Sequence, residues 1–232
     1  MLGIIGAMGV EIQLIKSKMD ILETVLISNI EFCRGTICGK PVVVAVCGVG
    51  KVHAAIATEA MILRFCPDAI INTGIAGTMT DSLGIGDVAI ASDLVQFDMD
   101  SSCVGDPPGL ISGIDLVYIP TSIKVSNLLE ECTKSFGLRT SMGTIATGDH
   151  FFKNDPGKKD YIVSTFNAIA CEMEGAAIGQ VCFVNNTPFG VLRAISDSVD
   201  DSNGMSYWEF REHAAKTAAE AMLLFIENYE GD

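Results

Sequence analysis

Short apolar runs alternate with amphipathic segments along the whole 232-residue chain. Residues 2–6 form an apolar run, and residues 9–19 carry helical spacing. Residues 24–36 read as a hairpin turning near Asn29, and 41–47 are β-branched or small throughout, as in a strand covered on both faces. The turn Gly48-Val49-Gly50 leads into the Ala- and Ile-rich stretch 52–65, and 69–72 is a strand closed by Gly74-Ile75-Ala76-Gly77. A longer strand is expected over 88–97. Residues 98–119, with Pro107-Pro108-Gly109, read as an irregular loop, which at that length is functional or an interface element. A helix follows over 121–136, with Thr121 or Ser122 as its cap. Strands at 142–147, 168–171 and 189–195 then alternate with helices at 157–166, 175–183 and 206–228. This order implies a single α/β domain over 1–232, with a central mixed, mostly parallel β-sheet flanked by helices.

A chain of this length buries roughly 70–75% of its unfolded surface, enough for one sizeable core. The 49% hydrophobic residues against 19% charged exclude disorder. Fifteen basic against 29 acidic side chains give a net charge of −14, which repels nucleic acid and anionic membranes. The eight cysteines are scattered without a Cys-x-x-Cys pair, and the three histidines have no ligand spacing. This favours a reduced, cytoplasmic protein without disulfides, metal or cofactor. The apolar first ten residues lack a basic leader and read as a first strand and turn rather than a signal peptide. No stretch reaches the ~18 uncharged apolar residues that span a bilayer.

Candidate chemistry sits at strand ends, where open α/β sheets bind ligands. Glu174 follows Ile169-Ala-Cys-Glu-Met173, Asp197 follows Val191-Leu-Arg-Ala-Ile-Ser196, and Glu11 follows Gly3-Ile-Ile-Gly-Ala-Met8. Three acids without a basic cluster suggest a site for protons and hydroxyls rather than phosphate. Each also has a plainer reading: Glu174 as an acid at a helix N-terminus, Asp197 as a cap, Glu11 as a solvated helix residue. Met173 and Phe151, taken singly, read as core. Gly48-Val49-Gly50-Lys51-Val52-His53 fails the dinucleotide fingerprint at its sixth position, and Ala45 and Val52 fail the P-loop pattern.

Taken together, several blocks resemble one family in order and spacing. They are Gly3–Met8 with Glu11, Gly48-Val-Gly-Lys51, Asn72-Thr-Gly-Ile-Ala-Gly77, Thr147-Gly-Asp-His-Phe151, Cys171-Glu-Met-Glu-Gly-Ala-Ala177 and Arg193-Ala-Ile-Ser-Asp197. The chain is similar to 5′-methylthioadenosine/S-adenosylhomocysteine nucleosidases of the purine nucleoside phosphorylase superfamily. The resemblance implies a nucleoside phosphorylase-like fold and hydrolysis that releases adenine and a 5′-thio-ribose. By that resemblance Asp197 protonates purine N7, a task that wants a carboxyl pKa above ~3.9. Glu11 would be the base that orients and deprotonates water. Glu174 would accept the ribose 2′ and 3′ hydroxyls, with Met173 packed on the ribose. Phe151 would stack on adenine and backbone at Phe152 read its edge. Arg193 and Ser196 would hold water and acid, and Tyr207 would lie near the 5′-alkylthio group. The loops carrying Val49 and Ile75, Ala76 and Gly77 would complete the nucleoside site. A homodimer is implied too, with 98–119 reaching a neighbour's site.

Departures bear on substrate. Gly9 and Val10 replace acidic residues, Ile75 replaces a serine, and Phe97-Asp-Met-Asp-Ser-Ser-Cys-Val104-Gly105 carries Val104 where phenylalanine is usual. A phosphate-dependent phosphorylase would need basic groups at the glycine loops, for which the candidates are Lys51, Arg34 and Arg64. Two further functions fit the same residues: a nucleosidase for another 5′-group, such as 6-amino-6-deoxyfutalosine, and a non-catalytic nucleoside-binding protein.

Overall fold

The computed structural model describes residues 1–151, 155–198 and 206–231. At its centre lie four parallel strands in the order β4 (Lys40–Val46), β1 (Leu2–Gly6), β5 (Ala69–Thr78) and β10 (Phe189–Ser198). Successive side chains point to opposite faces, and here both faces are buried. Ile4, Val42, Val44 and Ile71 enter one core, and Ile5, Val43, Ala45 and Ile70 enter the other. The first core is covered by α1 (Gly9–Ser17), α3 (Ile123–Ser135) and α6 (Ser206–Asn228), through Ile12, Ile15, Leu129, Met222 and Phe225. The second is covered by α2 (Lys51–Phe65) and α5 (Gly175–Val184), through Ala54, Ala57, Met61 and Ile178. Each fully buried Ile or Phe contributes about 1.5–3 kcal/mol, so this two-sided burial holds the strand ends in place. A smaller cluster forms where Ile162 and Phe166 of α4 (Pro156–Phe166) meet Val95, Phe97 and Ala146.

Outside that centre the sheet is antiparallel on one flank. β3 (Ile30–Ile37) pairs with β4, and β2 (Asp20–Ile27) forms the edge. Ser28 and Asn29 both have positive φ, 52° and 62°, which gives the tight turn expected near Asn29. On the other flank β10 also pairs antiparallel with β6 (Val88–Gln96), to which the short β7 (Ile119–Pro120) is added. β6 then pairs with β8 (Thr140–Thr147) and β8 with β9 (Ala170–Glu172). β9 returns antiparallel to β5, closing a five-stranded ring. The mixed sheet is therefore parallel at its centre, and it carries more antiparallel pairings than the strand–helix alternation suggests.

Three local expectations are corrected. β5 does not stop before the glycines but runs through Gly74–Gly77 to Thr78, and β10 continues to Ser198, so Asp197 lies within a strand. Ser122 occupies the N-cap of α3 without a side-chain cap, and the Thr121 hydroxyl bonds strand carbonyls instead. The segment 98–119 is largely irregular, as expected, with a short 3-10 turn at Ser102–Val104 and a bridge from Ile111 to Leu116.

Candidate active site

Strand β1 ends at Gly6 and α1 starts at Gly9, which places Glu11 in the first helical turn. One carboxylate oxygen accepts the N–H groups of Ala7 and Met8, both at 2.8 Å. The other accepts the Ile75 N–H at 3.1 Å. Glu11 is 1% exposed, so it is not a solvated helix residue. Burial pushes its pKa up, against Arg193 and the three N–H groups, which pull it down. β5 passes so close that a Cβ on Gly74 would lie 2.4 Å from Glu11 Oε1 and 2.6 Å from Arg193 Nη1. Glycine at 74 thus serves close approach within a strand rather than a turn. Ile75 lacks a hydroxyl, but its backbone N–H meets the carboxylate.

Arg193, which projects from β10, is fully buried among acids. Its Nη2 donates to Glu172 and Asn72 and lies 3.4 Å from Glu174 Oε2, while Nη1 reaches the Ile75 carbonyl at 3.4 Å. Burial works against its charge, but Glu172, Glu174 and Glu11 more than offset this and raise its pKa. Glu174 is buried too, and its Oε1 accepts the Gly50 N–H at 2.9 Å. Burial, helped by the neighbouring Glu172 and Glu11 charges, pushes its pKa up to about 7, against Arg193 and the Gly50 N–H. Glu174 occupies the N-cap of α5 without a side-chain cap. Glu172 instead accepts the N–H groups of Glu174 and Gly175, and Thr147 accepts that of Ala176. The helix-terminus role that sequence allowed for Glu174 therefore belongs to Glu172. The two-residue spacing within Cys171-Glu172-Met173-Glu174 was the available signal for it.

Asp197 pairs with Gly77 across β10 and β5 and is buried. It accepts the Ser196 hydroxyl at 2.6 Å. Asp197, Glu11 and Glu174 all line one cavity of about 450 Å³, within the usual range of about 300–1,000 Å³ for small-molecule sites. Val49, Ile75, Ala76 and Gly77 line the same cavity, as do Phe151, Met173, Arg193 and Ser196. Phe151 and Val49 stand at its rim, 55% and 49% exposed. Phe152 and the side chain of Tyr207 lie outside the described residues. Ala7, Met8, Cys171 and Glu172 also line the cavity and were not singled out from sequence.

The rim is tied together by charge. Asp149 accepts the Lys51 N–H at 2.8 Å and donates its own N–H to Asp98 at 2.9 Å. Lys51 Nζ bonds Asp98 at 2.6 Å and Gln96 at 3.2 Å. Gly50, with φ of 100°, opens α2 beneath this cluster, and a Cβ there would lie 3.1 Å from Asp149 Oδ1. The loop bearing Phe151 is thereby fixed to the loop bearing Val49. Arg34 and Arg64 both reach Glu23 on β2, away from the cavity. Among the described residues, no group of His, Cys, Asp and Glu side chains is arranged to hold a metal ion.

Three buried acids lining one cavity beside a closed ring of strands define the class: the chain belongs to the phosphorylase superfamily, whose family model matches residues 1–227. Within that class its relatives are 5′-methylthioadenosine/S-adenosylhomocysteine nucleosidases. It is 38% identical over 224 residues to the one from Geobacillus thermodenitrificans, covering 96% of this chain and 94% of that protein. The nucleosidase from Neisseria meningitidis, solved in complex with methylthio-immucillin-A, superposes with a TM-score of 0.93 at 32% identity, covering 98% of this chain and 99% of that one. The native structure of futalosine hydrolase from Helicobacter pylori superposes with a TM-score of 0.93 at 34% identity, covering 98% and 97% of the two chains.

Proposed function

We propose that this protein hydrolyses the N-glycosidic bond of 5′-methylthioadenosine and S-adenosylhomocysteine, releasing adenine and the 5′-thio-ribose. The observation that carries this reading is the pair of buried carboxylates, Glu11 and Asp197, lining one cavity at separate points along β5. Glu11 is bonded to Ile75 and Asp197 lies opposite Gly77, two residues further on, about 7 Å of strand. Base and acid are thus set at different points of one cavity wall, as displacement by water with separate proton donor and acceptor requires. Asp197 gives its proton to purine N7 and makes adenine a better leaving group. Glu11, anchored by three N–H groups, orients the water and takes its proton as oxocarbenium character develops on the ribose. Glu174 Oε2 accepts the ribose hydroxyls, Met173 packs on the ribose, and Phe151 covers the purine.

Phosphate has no such support. Arg193, the cation among the lining residues, is engaged by Glu172 and Glu174, Lys51 by Asp98, and Arg34 and Arg64 by Glu23. The similarity to futalosine hydrolase favours a second reading, a nucleosidase for a 5′-group other than a thioether. Val104, 77% exposed, stands in the loop where the departures lie. A homodimer is supported by apolar side chains exposed on one face of α2 (Val52, Ile56 and Leu63) and by Phe183 and Val184 of α5. A cytoplasmic setting is supported by eight unbridged cysteines and, among the described residues, no helix long and apolar enough to cross a membrane.

The test is adenine release from methylthioadenosine, first in phosphate-free buffer and then with phosphate added. Adenine with unphosphorylated methylthioribose in both supports the hydrolase, and Glu11→Gln should then abolish turnover. Ribose 1-phosphate formed only with phosphate would refute the water-base role of Glu11. Cleavage of 6-amino-6-deoxyfutalosine alone would support the second reading.

A further inference from the structure

Glu172 is a buried acid of the cavity wall that the reaction above does not use. Its partners are all donors: Arg193 Nη2, the Thr147 hydroxyl, and the N–H groups of Glu174 at 2.9 Å and Gly175 at 2.7 Å. Three of these donors converge on Oε2 and the Thr147 hydroxyl takes Oε1, so both oxygens are engaged within the protein. Glu174, two residues on, is under-occupied by comparison, with one N–H on Oε1 and a 3.4 Å approach of Arg193 to Oε2. The two acids compete for one guanidinium nitrogen, and Glu172 holds it.

We propose that Glu172 is a positioning residue: by holding Arg193 and the first N–H groups of α5, it keeps Arg193 off Glu174 and leaves Oε2 of Glu174 open to the ribose diol. The proposal rests on the nucleosidase reading of the site. The charged and titratable groups facing Glu174 are Arg193 on β10, Glu172 on β9, Glu11 on α1 and Cys47 just past β4. A diol needs the carboxylate form of Glu174 as acceptor, and burial together with the Glu172 charge sets its ionisation at about 7. Nucleoside binding therefore tightens as pH rises through about 7 and expels a proton. Glu172→Gln keeps the shape and an acceptor oxygen but removes the charge. Arg193 is then released toward Glu174, which ionises at lower pH and has Oε2 occupied.

Adenine release from methylthioadenosine by the wild type and Glu172→Gln, followed from pH 5.5 to 9, tests this. The expected result is a wild-type 1/KM that rises with a midpoint near 7, and a variant midpoint lower by about one pH unit. A second measurement uses the 7-deaza analogue of methylthioadenosine, which has no N7 to protonate, in calorimetric titrations in two buffers of different ionisation enthalpy. The wild type should release protons on binding at pH 7 and the variant fewer. An unmoved midpoint in a folded variant would overturn the proposal, because a purely structural Glu172 alters KM equally at every pH. If the variant does not fold, absence of proton release by the wild type alone overturns it. A wild type that binds the analogue without releasing adenine from substrate would sink the nucleosidase reading instead, while the proton count would still decide the role of Glu172.

Discussion

Replacing Glu174 by glutamine should stabilise the ligand-free protein at neutral and alkaline pH while impairing its site. Glu174 titrates at about 7 in the folded chain against an ordinary value of 4.5. Below 4.5 the folded and unfolded chains both hold the proton. Between 4.5 and 7 the folded chain retains a proton that the unfolded chain has lost, so stability falls as pH rises through this window. The full loss, reached above about 7, amounts to about 3 kcal/mol at about 1.4 kcal/mol per tenfold change in proton affinity. The glutamine side chain does not titrate, keeps an acceptor for the Gly50 N–H, and leaves the Arg193–Glu172 pair intact. Urea unfolding followed by circular dichroism should give a variant near wild-type stability at pH 4.5 and more stable by about 3 kcal/mol at pH 8. Glu11 is raised in the same direction, and loss of the neighbouring Glu174 charge eases its ionisation, which adds to the variant's advantage at pH 8. A difference that stays flat from pH 5 to 8, or a variant less stable at pH 8, would refute the reasoning.

Gly74→Ala forces a Cβ to within 2.4 Å of Glu11 Oε1 and should cost about 1–3 kcal/mol in urea unfolding together with most adenine release. Gly77→Ala, whose nearest contact is Asp197 Oδ2 at 3.3 Å, should keep the fold and serves as its comparison. Asp197→Asn should lower kcat by about 10²–10⁴-fold with nucleoside binding retained, measured by steady-state adenine release and calorimetry. Asp149→Ala removes the acceptor of the Lys51 N–H and should raise KM about fivefold, the equivalent of one hydrogen bond near 1 kcal/mol, with kcat little changed.

The parallel centre was legible because strands buried on both faces leave continuous apolar runs, as in residues 41–47. Glu11, Glu174 and Asp197 were legible because each follows such a run. Ring closure was not, because it needs the far end of β5, at Gly77 and Thr78, to pair with β9, and such a pairing leaves no mark in a strand's own pattern. Gly74 signalled a turn, since glycine breaks strands more often than it threads them, and the reason for it lies on α1 and β10, far away in sequence. The same holds for Glu172: its partners Thr147 and Arg193 are 25 and 21 positions distant. Its capping of α5 gives a second acid in one motif a job distinct from that of the first.

Residue 75 serves the site through its main chain, its N–H holding Glu11 and its carbonyl approached by Arg193. Every amino acid except proline supplies both groups. The choice of side chain at this position is thus decoupled from the anchoring of Glu11, and it can vary while the backbone duties continue. An isoleucine can therefore stand where the resemblance leads one to expect serine, and a directed-evolution library at 75 could reshape the cavity wall with the acids beside it undisturbed.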